Sequence, residues 1–104
     1  MIIACGADAP GYGATNTIDY ITMTSIGDAI DFGDLTAAAH GSSVMSNSVR
    51  AVIYLGGTNG NGSTTDTINY VTISTTGNAA DFGDSTLSSY GLGEGCSDSH
   101  GGLG

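Results

Sequence analysis

Short runs of β-branched and aromatic residues, each closed by glycine or asparagine, set the rhythm of this chain. Residues 51–55 form an apolar run, Ala51-Val52-Ile53-Tyr54-Leu55, that reads as a strand ended by Gly56-Gly57, with a Gly/Asn/Ser/Thr loop over 58–65. The segment 67–74 predicts a second strand, and residues 75–78 a turn in which Gly77 and Asn78 take positive φ; its counterpart is 25–28. A third strand is expected over 79–86, and a fourth over about 38–45 in one half and 90–96 in the other. No segment carries a helical period. Along residues 17–23 one face presents Ile18, Tyr20 and Thr22, while the other presents Ile21 and Met23 beside Asp19. A sheet with one wet face alternates cleanly, so this pattern predicts a strand covered on both sides, as in stacked four-stranded blades.

The runs repeat. At an offset of fifty, residues 17–36 align with 67–86 and eleven of the twenty positions are identical, among them Tyr20, Phe32, Gly33 and Asp34 with Tyr70, Phe82, Gly83 and Asp84. The chain therefore reads as one all-β repeat domain over residues 1–104, with module 1 at about 1–50 and module 2 at about 51–104. Each module is a unit that cannot bury both faces alone.

Charge narrows the partners. Ten acidic residues against one cation, Arg50, give a formal net charge of −9, which leaves nothing to neutralise phosphates, so nucleic acid is excluded as a partner and anionic membrane is disfavoured. Two cysteines, Cys5 and Cys96, are too few for a disulfide scaffold. The repeat sets Cys5 on Leu55 and Cys96 on Ser46, at different levels of a module, so no intrachain disulfide is expected. The stretch Met1-Ile2-Ile3-Ala4-Cys5 has neither a charged n-region nor the length of a signal core or membrane span, so no membrane insertion is expected.

The motifs Asn16-Thr17-Ile18-Asp19-Tyr20-Ile21-Thr22, Gly27-Asp28-Ala29 and Asp31-Phe32-Gly33-Asp34-Leu35-Thr36, with their second copies at 67–73, 76–79 and 81–84, resemble the tandem repeats of bacteriophage virion and tail-fibre-like proteins. Those repeats are similar in turn to kelch modules, and Gly56-Gly57 fits the kelch diglycine. The resemblance implies two four-stranded, propeller-type modules with Tyr20, Phe32, Gly33, Gly56, Gly57, Tyr70, Phe82 and Gly83 as structural positions. It also implies a non-enzymatic structural role and a virion or extracellular location.

Chemistry-bearing residues are sparse. Asp31-Phe32-Gly33 and Asp81-Phe82-Gly83 spell the kinase metal-binding tripeptide, but no catalytic-loop motif or strand lysine accompanies them. Asp28, Asp31 and Asp34, with Asn78, Asp81 and Asp84, are oxygen-rich enough to be weak candidates for calcium. Spacing of three along a strand alternates faces, so capping and turn hydrogen bonds are the first expectation for them. His40, His100, Cys5 and Cys96 sit at no ligand-like spacing. The glycines at 57–62 and 91–95 lack the pattern of a phosphate loop and read as loop and tight-packing glycines. Asn61-Gly62-Ser63 is an N-glycosylation sequon, which makes Asn61 a glycosylation candidate.

With no acid/base pair or nucleophile, an enzyme ranks last. The leading expectation is self-association into a ring or filament through the modules, because the first strand of module 1 lacks the strand that precedes its counterpart while residues 90–96 supply such a strand. A module binding a cell-surface glycan or receptor is the alternative, with Tyr12 and Tyr90 as loop aromatics. Phe32 and Phe82 are expected to be buried at equivalent positions.

Overall fold

The computed structural model describes residues 2–4, 7–8, 13–58, 63–89 and 95. Within them the chain is all-β, as the strand-forming runs predict. Four strands make the first sheet: β1 (Ile2–Ala4), β2 (Ala7–Asp8), β3 (Gly13–Tyr20) and β4 (Ile30–Ala39). Five make the second: β5 (Ser43–Ser46), β6 (Arg50–Tyr54), β7 (Gly57–Thr58), β8 (Ser63–Thr72) and β9 (Ala80–Ser89). All pairings are antiparallel.

The fifty-residue period is a period of register. Ile2 faces Tyr20 and Val52 faces Tyr70; Ile18 faces Gly33 and Ile68 faces Gly83; Asp19 faces Asp31 and Asn69 faces Asp81. Even the irregularities recur. Between Ile18 and Asp19 one extra residue, Phe32, is inserted on β4, and Phe82 is inserted at the same place on β9. Such a bulge re-aims its side chain, and both rings turn edge-on to the tyrosine of the neighbouring strand: Tyr20 to Phe32 at 5.9 Å and Tyr70 to Phe82 at 6.1 Å between centroids.

The core lies between the two sheets. Ala4, Ile18, Phe32, Leu35 and Ala39 come from the first, and Ala51, Ile53, Leu55 and Val71 from the second. Register pairing puts Ile18 and Tyr20 on one face of β3, whereas Asn69 and Val71 lie on the opposite face of the equivalent strand β8. The sheets thus stack front to back. The cover expected on both faces of residues 17–23 is found on one: β3 ends at Tyr20, its Ile18 face meets the second sheet, and Met23 beyond it is 78% exposed.

Several boundaries differ from the sequence reading. The hydrogen-bonded turns span 22–25 and 72–75, with Ser25 N–H on the Thr22 carbonyl and Thr75 N–H on the Thr72 carbonyl, rather than 25–28 and 75–78. Residues 77–79 instead run extended along the first sheet, because Gly77 and Ala79 find backbone acceptors there. The strand expected over 38–45 is two strands: His40 bridges to Gly57, Gly41 takes φ +68°, and β5 begins at Ser43. The loop 58–65 narrows, since both of its ends pair as β7 with β8. One expectation about burial fails: Phe32 is 5% exposed but Phe82 is 54% exposed. Phe32 is roofed by the second sheet, and no described residue roofs Phe82 in the same way.

Candidate functional site

Two features stand out, the seam that joins the sheets and a cleft beside it. The seam is built mainly from backbone groups. Gly77 N–H donates to the Phe32 carbonyl and Ala79 N–H to the Asp34 carbonyl, both at 2.8 Å, while Asn78 Oδ1 accepts from Asp34 N–H at 3.0 Å. A Cβ on Gly33, whose φ is +150°, would collide with the Gly77 carbonyl, so glycine is what lets the two chains approach. Farther along, His40 and Gly57 exchange two backbone hydrogen bonds, and Gly57 lies against the imidazole of His40. The left-handed φ of Gly56, +80°, turns the chain into that contact.

Asn69 is the polar centre of this seam. It is fully buried, and its Oδ1 accepts from both the N–H and the hydroxyl of Thr36 at 2.9 Å. Two donors on one side fix the amide orientation, and Nδ2 then finds no acceptor among the described residues. The first module has Asp19 at this position, half-buried on the outer face of its sheet and directly opposite Asp31. Sequence reasoning did not single out Asn69 or Thr36. The signal was an acceptor kept at 19 and 69 between the same apolar neighbours, Ile18 and Tyr20 in one copy and Ile68 and Tyr70 in the other.

The cleft, about 720 Å³, opens at the edge between the sheets and is lined by Tyr20, Phe32, Met23, Val44, Met45 and Ile73 among others. Its rim is shaped by a turn in which Asn47 Oδ1 accepts from the N–H groups of Val49 and Arg50, each at 2.8 Å. Gly95 packs closely on the Val44 backbone, in keeping with a tight-packing glycine. On the far side of the second sheet, Arg50 lies 4.6 Å from the Tyr70 ring centre. There also the Tyr54 hydroxyl bonds the Thr65 carbonyl at 3.0 Å, the Ser89 hydroxyl at 3.0 Å and the Ser89 N–H at 2.9 Å. The Ser89 hydroxyl, more than any other contact, draws the Tyr54 phenol below the usual tyrosine value.

The weak calcium candidates are spread along exposed chain. Asp28, Asp31, Asp34, Asp81 and Asp84 all face solvent, and among the described residues no three His, Cys, Asp or Glu side chains gather closely enough to hold a metal. One does serve a backbone amide: Asp81 Oδ1 accepts from Gly83 N–H at 3.3 Å. Asn61, Cys5, Cys96, His100, Tyr12 and Tyr90 lie outside the described residues, as does the expected strand over 90–96 apart from Gly95.

No family model, no curated protein and no solved structure matches this chain.

Proposed function

We propose that this chain is a non-enzymatic structural protein of a virion appendage, tail-fibre-like, or of another extracellular filament, in which kelch-like, propeller-type modules assemble by repetition. The observation that supports it is the stacking of the two sheets: equivalent strands in equivalent register pack front face to back face. Front-to-back packing is heterologous, so it leaves one face of each kind unused and continues as a ring or a filament according to its rotation. Electron microscopy of the purified chain, concentrated without a partner, tests this. Rings or fibres with a regular axial or angular repeat are the expected result, and dispersed particles of monomer size at every concentration refute it.

A second reading, a module for a cell-surface glycan or receptor, is favoured by the cleft with Tyr20 and Phe32 in its wall. Retention of the chain on an immobilised glycan panel, lost on Tyr20→Ala without loss of β-sheet signal, would select it.

A further inference from the structure

The seam between the two sheets is also a template. The residues that join β4 to Asn69 and to 77–79 each have a counterpart fifty positions away, on β9 or on the first sheet and its connection; of the farther pair, Gly57 answers to Ala7, and the counterpart of His40, Tyr90, lies outside the described residues. Phe82, Gly83, Asp84 and Thr86 stand on β9 as Phe32, Gly33, Asp34 and Thr36 stand on β4. Asp19, Gly27, Asp28 and Ala29 stand on the first sheet and its connection as Asn69, Gly77, Asn78 and Ala79 do on the second.

We infer that the Phe82 face of one molecule docks on the Asp19 face of a second copy, reproducing the internal seam between chains. This rests on the assembling role proposed above and names its interface. In the docked pair, Gly27 and Ala29 N–H donate to the Phe82 and Asp84 carbonyls, Asp28 accepts from Asp84 N–H, and Asp19 accepts from the N–H and hydroxyl of Thr86.

Three observations carry this. Phe82 keeps the aromatic ring of Phe32 although it is 54% exposed in the single chain, ten times the value of its counterpart. The part of its ring that the Tyr70 contact leaves open is the part that the second sheet covers on Phe32. Gly83 holds φ +144°, the backbone shape of Gly33, yet a Cβ there would meet nothing within 4 Å. The close approach that demands glycine at 33 is absent around 83 in the single chain and present in the docked pair. Finally, both Asn-to-Asp exchanges keep the function the seam uses. Asn69 and Asn78 serve as acceptors, a role a carboxylate fills, and Asp19 carries no second donor to leave orphaned as Asn69 does. Three exchanges weaken the copy relative to its template: Ser85 replaces Leu35, Ser89 replaces Ala39, and Ala7 replaces Gly57, where the template has room for no Cβ beside the His40 ring. The contact between chains is accordingly expected to depend on concentration.

A heterologous contact has a specific signature when each face is blocked separately. Phe82→Asp spoils one face at an exposed position, and Asp19→Lys spoils the other by replacing the acceptor with a cation. Sedimentation from about 1 μM to about 300 μM spans the affinities of interfaces of ordinary size. The wild-type chain is expected to grow beyond a dimer, and each variant alone to stay monomeric with an unchanged β-sheet circular dichroism spectrum. An equimolar mixture of the two should form a one-to-one pair and stop there. A mixture that stays monomeric while the wild type assembles overturns this interface but leaves the assembling role standing. A wild type that is monomeric throughout overturns the interface as well. Should Phe82→Asp lose its fold, Thr86→Glu serves as the blocked partner with the same expected outcomes. Formation of the mixed pair without rings or fibres of the wild type by microscopy would retain the interface and reject the filament.

Discussion

At the scale of single residues, the two phenylalanines separate intrinsic preference from environment. Phe32 and Phe82 share a bulge, a tyrosine partner and a sequence context, yet only Phe32 is covered. Phe32→Ala is expected to cost about 3–5 kcal/mol, the range for truncating a buried aromatic. Phe82→Ala, measured at a concentration where the chain is monomeric, should cost about 1–2 kcal/mol, because half of its surface stays in water either way. Urea denaturation of the two variants checks this; equal losses would mean that the cover over Phe32 contributes nothing. Tyr54 offers a titration. Its phenol is drawn below 10 chiefly by the Ser89 hydroxyl, so the folded state prefers the phenolate more than the unfolded chain does. The stability from this bond is fully present above the unfolded value near 10 and is lost as pH falls through the folded value. Ultraviolet difference spectra should show one tyrosine ionising early, and Ser89→Ala should return it to the ordinary range.

At the scale of elements, pairing within each sheet is repeated and generic, whereas the contact between sheets depends on few groups. Asn69 joins β8 to β4 through two bonds from Thr36. Asn69→Ala is expected to destabilise by about 1–3 kcal/mol, since it opens a cavity at a buried position and leaves the Thr36 donors without their acceptor. Thr36→Val, which keeps the amide bond and removes the hydroxyl one, should cost less. A double-mutant cycle with Thr36→Ala and Asn69→Ala should return a coupling above about 0.5 kcal/mol, and strict additivity would show that the bond is not made in solution. Much of this was open to reading in the sequence. Tyr20 and Tyr70, with Phe32-Gly33 and Phe82-Gly83, could be placed on equivalent strands by offset alone. The path of 77–79 could not, because its acceptors, the Phe32 and Asp34 carbonyls, belong to a strand more than forty residues away.

For the whole molecule, charge opposes compactness and contact between copies alike. Ten acidic residues and a single Arg give −9, and Asp19 stands directly across from Asp31 in the first sheet. Like charges in that position repel. Raising ionic strength from about 10 mM to about 150 mM shortens the screening length from about 30 Å to about 8 Å. The melting temperature should rise over that range. A melting temperature that falls on adding salt would mean that favourable charge contacts outweigh the repulsion.

By itself the sequence determined what depends on neighbours along the chain: strand runs of β-branched residues, glycine punctuation, and a period of fifty that carries over into register. The two-faced pattern of residues 17–23 implied cover on both sides, of which the described residues supply one. Only the tertiary structure decided which face each module presents to the other, because Ile18 and Asn69 are core residues on opposite faces of equivalent strands. Identical segments therefore end in different surroundings, and Phe82 could not be told from Phe32. Burial is set by what arrives from elsewhere in the chain, and local pattern carries no record of that arrival.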